Sequence, residues 1–227
     1  MTICCPKSIK GLAIRVTRTD ICGVPESIFT PQTRLTTKGF VSLGLTPNIE
    51  AGEEITVKNA DGSLCVTDKD PDQLKWFDLE MLLCGIPLPL LEMLLGVTLL
   101  LDGLNSVGGV LPSRASQIDQ LPRQVEIWSR NKDAAACAPG ATPVPYVHFG
   151  LPLTRNWQVG GNKTFSITQL EFTLTGQGEE TAGFLPSHST EWSAGQVAAI
   201  QAGGPLAWKC VSELPTTSEC AYDVIGS

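Results

Sequence analysis

The sequence predicts a mainly β protein, built from antiparallel strands with one short helix and long connecting loops. Three observations favour this fold class. Apolar and polar residues alternate in several segments, which is typical of strands with one buried face. An Asn-Ala-Asp-Gly run separates two such segments, and these residue types form tight hairpin turns. The most apolar run, residues 81–101, is interrupted by proline and glycine, so it cannot be one long helix.

The first predicted strand is residues 11–18, where Ile14 and Val16 face one side and Arg15 faces the other. This alternation indicates one buried face and one wet face. Residues 20–37 are rich in Pro, Thr and Gly and are predicted to form a long loop. Because long loops in compact domains usually have a function, we expect this one to contact a partner.

Residues 39–101 have the densest strand signals. Residues 41–45 alternate, and this strand is expected to end at Pro47 because proline has no N–H to donate. Two further strands, 54–58 and 63–67, flank the Asn-Ala-Asp-Gly turn and are predicted to form a hairpin.

A longer strand is predicted at residues 73–84. Leu79 and Met81 lie on its apolar face, whereas Asp78 and Glu80 lie on the opposite face. A strand with one apolar and one charged face is typical of an antiparallel sheet that faces water on one side.

A buried helix of about two turns is predicted within residues 85–96. Pro89 suits the first turn of a helix, and Gly96 suits its C-terminal cap. The helix is apolar on most sides, so we expect it to pack against the sheet. A membrane span over this region is disfavoured because Glu92 would lie near its centre and no Lys or Arg flanks it.

The second half of the chain contains further strand signals and then a change of composition. In the last predicted strand the apolar positions shift phase near Gln169, which indicates a bulge. Residues 102–121 are rich in Gly, Ser and Pro and are predicted to be a connection. Residues 177–227 are rich in small residues and are predicted to be a C-terminal extension, with a helix at 194–202, of a domain formed by residues 1–176. This extension is expected to pack either on that same domain or at a contact between subunits. The predicted strands are residues 97–101, 124–128, 146–153 and 164–175.

Composition excludes some classes of function. Lys and Arg total 16 against 23 Asp and Glu, giving a net charge of −7, which disfavours binding to phosphate backbones. The N-terminus lacks the apolar stretch of a secretion signal, so export by that route is not expected. The eight cysteines contain no Cys-x-x-Cys pair. Reduced, partly buried thiols are expected, with late disulfides or one zinc site assembled from distant thiols as the alternatives.

No catalytic motif is found in the sequence. His148 and His188 are interpreted as chance surface residues, because neither lies in a Gly-x-Ser-x-Gly or cysteine-nucleophile context. Residues 103–109 lack the lysine and the strand–helix context of a phosphate-binding loop. The chain is therefore predicted not to be an enzyme and to hold no cofactor or metal.

Two acidic clusters are the remaining candidates for a site. The Asp-x-Asp-x-Asp run superficially matches the start of a calcium loop but lacks its glycine and its distal glutamate. Pro71 also stiffens the backbone that would have to wrap the ion. Solvated turns are the preferred interpretation, and a cation site is the alternative. The candidate residues are Glu50, Glu53, Glu54, Asp68, Asp70 and Asp72.

A series of motifs carries a family resemblance through its order and spacing. The motifs are Ile-Cys-Cys-Pro at the start, Ile-Arg-Val-Thr-Arg-Thr-Asp-Ile-Cys-Gly-Val-Pro ending at Pro25, Gly-Phe-Val-Ser-Leu from Gly39, Pro-Asn-Ile-Glu-Ala-Gly-Glu-Glu from Pro47, Lys-Asn-Ala-Asp-Gly-Ser-Leu-Cys-Val from Lys58, Asp-Pro-Asp-Gln-Leu-Lys from Asp70, and Leu-Cys-Gly-Ile-Pro from Leu83. With them the chain resembles the major tail (tail tube) proteins of long-tailed, siphovirus-type phages of actinobacteria. The similarity is most specific over residues 3–96 and continues more weakly to residue 175.

The resemblance implies an antiparallel β-sandwich or barrel-like tail-tube fold with one short flanking helix. It further implies hexameric rings that stack into a tube in the virion tail, after assembly in the host cytoplasm. The partners implied are copies of the chain, other tail proteins (terminator, tape measure and distal tail) and DNA in transit, with no membrane. An acidic lumen would repel DNA, so the six carboxylates above are candidate lumen residues.

Three alternatives stay open. One is another virion structural protein, such as a head–tail connector, a tail terminator or a capsid decoration protein. Another is a metalloprotein that uses the eight thiols. The third is a β-sandwich module that binds carbohydrate through clustered aromatic side chains, for which the candidates are Trp76, Trp128, Trp157, Trp192 and Trp208.

Overall fold

A computed structural model describes residues 8–25, 33–38, 40–84, 88–103, 105–110, 122–131, 145–160, 171–179, 192, 194–202, 204–211 and 213–215. Strands dominate these residues, and the predicted mainly β fold is confirmed. The two helices are α1 (Leu88–Leu95) and α2 (Ala194–Gln201). The strands are β1 (Ser8–Arg18), β2 (Arg34–Thr37), β3 (Phe40–Glu50), β4 (Glu54–Lys58), β5 (Leu64–Lys69), β6 (Gln73–Cys84), β7 (Thr98–Asp102), β8 (Asn105–Val110), β9 (Arg123–Asn131), β10 (Tyr146–Val159), β11 (Glu171–Glu179) and β12 (Ala207–Val211).

Eight of the strands form one antiparallel sheet. Its order is β2-β1-β9-β10-β11-β6-β3, and β12 pairs with the first half of β10. The last strand, β3, approaches β1 near the other end of this order, so the sheet curls toward closure like an open barrel. The remaining strands form two separate hairpins, β4–β5 and β7–β8.

The core lies inside the curl of the sheet and is closed by α1. This helix has the predicted length, and it ends at Gly96, whose φ of 65° and N–H bond to the Glu92 carbonyl form a C-terminal cap. Leu90 and Leu94 are almost fully buried. The strands supply the other core residues, which include Ile14, Val16, Leu79, Met81, Leu83, Val125, Leu151, Trp157 and Leu174.

The bounds of strand β6, and the faces to which its side chains point, match the prediction. Leu79 and Met81 are buried, while Asp78 and Glu80 on the alternate face are exposed. The hairpin predicted around the Asn-Ala-Asp-Gly turn is confirmed as β4–β5.

The prediction of one wet face on β1 is wrong, because both faces of this strand are covered. Arg15 is 6% exposed and Thr17 is 1% exposed. Alternating polar residues can lie in an interior when they find partners there, and Arg15 lies 3.7 Å from the carboxylate of Glu126 on β9. Periodicity shows which side chains share a face but not whether that face meets water.

Three boundary predictions are also wrong. Strand β3 continues through Pro47 because it is an edge strand in this sheet, where a missing N–H breaks no ladder. The predicted loop at residues 20–37 contains β2, and the predicted connection at 102–121 contains β8. Both short strands gain their hydrogen bonds from a neighbouring strand, and their own composition gives little sign of them.

Part of the predicted C-terminal extension packs on the main sheet, since β12 pairs with β10. Strand β11 runs across position 176, and the predicted helix at 194–202 corresponds to α2. The bulge predicted near Gln169 lies outside the described residues. The division of the chain at residue 176 stays a prediction. Neither α1 nor α2, the helices of the described part, is long and apolar enough to span a membrane.

Candidate assembly surface

The β4–β5 hairpin, called the arm below, extends away from the main sheet. Its tip is built by local chemistry: Gly62 takes a φ of 85°, and the N–H of Asn59 donates to the carbonyl of Ser63 over 2.7 Å. Asp61 Oδ1 accepts from the hydroxyl of Ser63 at 2.6 Å and from its N–H at 2.9 Å. These bonds hold the pKa of Asp61 below its ordinary value. Every described side chain of both arm strands is exposed.

The arm has an apolar face that nothing in the described part of the chain covers. Ile55 and Val57 alternate with Glu54 and Thr56, so the two apolar side chains point to the same side. They are 55% and 48% exposed. Asp68 lies directly opposite Ile55 in the register and therefore adds a carboxylate to this same face.

Exposed apolar residues continue where the arm leaves the sheet. Ile49 on β3 and Leu74 on β6 are cross-strand partners, and they are 58% and 44% exposed. The β7–β8 hairpin adds a second exposed apolar group, in which Leu101 is 65% exposed and Val110 is 52% exposed. Single exposed apolar residues are common, but several on two hairpins outside the main sheet indicate contact surfaces.

The structure brings the two predicted acidic clusters together at the base of the arm. The N–H of Gly52 donates to Asp72 Oδ1 at 3.0 Å, and the N–H of Asp70 donates to the carbonyl of Glu53 at 3.0 Å. A Cβ at Gly52 would overlap the carbonyl oxygen of Asp70, so only glycine permits this approach of the two turns. The arm hairpin therefore brings its two flanking acidic turns into one acidic surface.

Two lysines partly balance the negative charge of this surface. Lys69 Nζ lies 3.0 Å from Asp72, and Lys75 Nζ lies 2.8 Å from Glu50. The Gly52 N–H, followed by the Lys69 ammonium, holds the pKa of Asp72 below its ordinary value. All six predicted carboxylates are exposed. No group of three or more His, Cys, Asp or Glu among the described residues is arranged to hold a metal ion.

The interpretation of His148 as a surface residue is wrong. Its side chain is fully buried, stacks on Trp128 with ring centroids 4.3 Å apart, and lies with Nε2 3.0 Å from Oε1 of the buried Glu126. Nδ1 accepts a 3.2 Å hydrogen bond from the indole N–H of Trp192. His188 lies outside the described residues.

One signal in the sequence could have revealed this polar cluster. In β9, Val125 and Ile127 face the main core, so Glu126 and Trp128 must share the other face. A tryptophan beside a glutamate on a face expected to be wet indicates that this face is covered. Burial by itself would raise the pKa of Glu126, but the contact with His148 and the charge of Arg15 lower it overall.

A groove lies beside this cluster, between α2 and β12. Its volume is ≈ 340 Å³, and Trp208, which is 59% exposed, stands at its side. Lys209 Nζ lies 5.7 Å from the ring centroid of Trp192 and 3.4 Å from Oε1 of Gln196. The groove is thus mainly apolar with one ammonium group. Its lining includes Trp192, Gln196, Ile200, Leu206, Trp208 and Lys209.

The five tryptophans do not form one aromatic platform. Trp128 and Trp157 are buried in separate parts of the core, at 3% and 2% exposure. Trp76 is half-buried and donates its indole N–H to Asp78. Trp192 and Trp208 line a common groove.

No protein-family model and no curated protein matches the chain. The solved structures similar to it include three with 11–13% sequence identity. The anti-feeding prophage cap (AFP tube terminating cap) is 11% identical with a TM-score of 0.32, covering 78% of this chain and 90% of that chain. The sheath/tube terminator of the extracellular contractile injection system PVC, in its extended state, is 13% identical with a TM-score of 0.29, covering 73% and 89%.

The third is the PVC sheath–tube complex in the extended state, 13% identical with a TM-score of 0.29, covering 73% of this chain and 84% of that chain. Because these TM-scores are low, the function proposed below rests on the residues of this chain.

Proposed function

We propose that this chain is a structural subunit of a phage-type tail, which assembles with copies of itself and performs no catalysis. The observation that carries the proposal is the uncovered apolar face of the arm, formed by Ile55 and Val57. An isolated two-stranded hairpin is marginally stable in water, so a projecting arm of this kind gains order when another surface covers it. A repeated subunit supplies that surface from a second copy.

The sequence supports the same class of protein. The motifs between residues 3 and 96 resemble tail-tube proteins, and the arm and the acidic turns both lie within that stretch. If the arm packs on a different patch of the next copy, the contact is head-to-tail, and such contacts close into rings or continue into filaments.

Two roles within a tail are possible for such a subunit, and they differ in how far assembly proceeds. A tube subunit forms hexameric rings that stack, whereas a terminator forms one ring at the end of a tube. Both roles place the chain in the virion tail, in contact with other tail proteins. The surface of Glu50, Glu53, Glu54, Asp68, Asp70 and Asp72 suits either role, because exposed carboxylates repel a passing phosphate backbone.

Electron microscopy of the purified full-length protein over a concentration series tests the proposal. We expect rings. Rings that stack into tubes would indicate the tube role, and single rings would indicate the terminator role. The arm variant Ile55→Ser with Val57→Ser should assemble much less, because it removes the apolar face without touching the turn. Thr56→Ser, on the opposite face of the same strand, is the matched control and should assemble like the natural chain.

Monodisperse monomers at high concentration, with no polymerisation after seeding, would contradict the proposal. Equal assembly of the arm variant and the Thr56→Ser control would show that the arm is not the contact surface. Circular dichroism of each variant separates loss of assembly from loss of folding.

A further inference from the structure

We infer that the groove between α2 and β12 receives the apolar face of the arm from a second copy of this chain. The inference rests on the proposed function, since it requires self-assembly, and it names the two surfaces that meet. Both surfaces lie in the described part of the chain. The arm has exposed aliphatic side chains, and the groove is an open apolar concavity beside an exposed Trp208.

The two surfaces are complementary in polarity. On the arm, Ile55 and Val57 form an aliphatic face next to Asp68. In the groove, Trp208 and Leu206 provide apolar contact surface next to Lys209. Aliphatic side chains packed on an aromatic ring exclude water, and this strengthens a carboxylate–ammonium contact at the edge of the patch.

Charge complementarity also favours this orientation. Lys209 Nζ makes a long, 3.4 Å hydrogen bond to the neutral acceptor Gln196 and lies 5.7 Å from the centroid of the Trp192 ring. An arriving Asp68 carboxylate would supply a charged acceptor in its place, and charge-assisted hydrogen bonds are shorter and stronger than neutral ones.

One wall of the groove contacts the buried His148. The indole N–H of Trp192 donates to the buried His148, and the Trp192 ring also meets the His148 ring edge-on at 5.5 Å between centroids. Ile200 of α2 and Ala207 of β12 pack with Trp192 in a small apolar cluster. A pre-formed receptor surface lowers the entropic cost of binding, so the buried histidine has a role in positioning this wall.

Complementation between two defective variants tests the inference. Ile55→Asp with Val57→Asp disables the arm, and Trp208→Asp disables the groove. Each variant alone should be monomeric, because each head-to-tail contact needs one arm and one groove. An equimolar mixture should contain one working arm and one working groove for every two chains. Sedimentation velocity should therefore show 1:1 dimers and no larger species.

Charge reversal gives a second, milder test that does not alter the apolar surfaces. Asp68→Lys or Lys209→Asp alone should weaken assembly by about tenfold or more, because each places like charges at the contact. The double variant, which swaps the charges, should restore assembly. Glu54→Lys is the matched control on the opposite face of the arm, and it should leave assembly near that of the natural chain.

Several outcomes would overturn the inference. The inference is wrong if either the arm variant or the groove variant assembles like the natural chain. It is also wrong if the mixture of the two variants is folded but stays monomeric. If Leu101→Asp blocks assembly while the arm variant does not, the β7–β8 hairpin is the occupant instead. In each of these cases the natural chain still assembles, so the proposed function survives. A natural chain that never self-associates contradicts both.

Discussion

Nε2 of His148 lies 3.0 Å from Oε1 of Glu126, and neither side chain is exposed to solvent. Because Nδ1 of the same ring accepts a hydrogen bond from Trp192, the ring proton belongs on Nε2. The histidine thus links a buried carboxylate on β9 to the tryptophan wall of the groove. Arg15, 3.7 Å from the other carboxylate oxygen, supplies the balancing charge.

Removal of the Glu126 carboxylate should destabilise the protein strongly. Glu126→Ala leaves the buried Arg15 without its nearest anion, and breaking a buried ion pair typically costs about 3–5 kcal/mol. Urea unfolding of the purified chain measures the change in free energy of unfolding. Glu80→Ala is the control, because Glu80 is exposed on β6 and its loss should cost less than about 0.5 kcal/mol. Equal effects of the two substitutions would mean that the buried pair does not contribute to stability.

The same carboxylate should make stability depend on acid pH. The folded protein lowers the pKa of Glu126 below its ordinary value of 4.5, since the His148 contact and the Arg15 charge outweigh burial. A lowered folded pKa means that the unfolded chain binds the proton more readily. This contribution is therefore present above the ordinary pKa and is lost as pH falls through the folded value.

Unfolding free energies measured from neutral pH down to acid pH test this dependence. The isosteric Glu126→Gln variant cannot titrate at this position, so its stability should fall less steeply with acid than that of the natural chain. Other carboxylates titrate alike in both proteins and cancel in the difference. Parallel curves for the two proteins would disprove the role of Glu126.

Gly176 on β11 should not tolerate a methyl group. A Cβ there would stand 2.8 Å from Cδ2 of Trp157, and this ring is 2% exposed and cannot move aside into solvent. Overpacking of this kind typically costs about 1–3 kcal/mol, so Gly176→Ala should lower the midpoint of urea unfolding. Gly195→Ala in α2 meets no atom within 4 Å. Because alanine restricts the unfolded chain more than glycine does, this variant should instead raise stability by about 0.4–1 kcal/mol. The opposite ranking of the two variants would refute this packing.

Gly52→Ala should separate the two acidic turns. The new methyl group would overlap the carbonyl oxygen of Asp70, so the N–H bond from position 52 to Asp72 should be lost. Carboxyl NMR titration should then show the pKa of Asp72 rising toward its ordinary value, because that bond is the main cause of the lowered pKa. Gly44→Ala is the control, since a Cβ there makes only ordinary contacts. An unchanged Asp72 titration in Gly52→Ala would contradict this geometry.

Local chemistry made part of the fold predictable. The arm follows from Asn59 to Gly62, because these residues accept turn conformations and bond within the turn. Helix α1 follows from Pro89 and Gly96 in the same way. The alternating pattern of β6 predicted both its bounds and its inward residues. In each case the residues that determine the element lie within a few positions of one another.

Long-range pairing made other parts unpredictable. Strand β1 pairs with β9, whose residues follow more than a hundred positions later, and this pairing brings Arg15 to Glu126. The burial of His148 depends on β9, β10 and Trp192 together. Pro47 could remain inside a strand only because β3 lies at a sheet edge. No local pattern contains these relationships.

The sequence by itself determined that this protein is rich in antiparallel strands, where the arm turns, and which carboxylates could form an acidic surface. Only the tertiary structure decided that the two acidic turns join at Gly52, that both faces of β1 are covered, and that the apolar face of the arm stays open. The physical reason is that periodicity and turn chemistry act between near neighbours. Exposure and charge pairing depend on which distant strands the curled sheet places side by side.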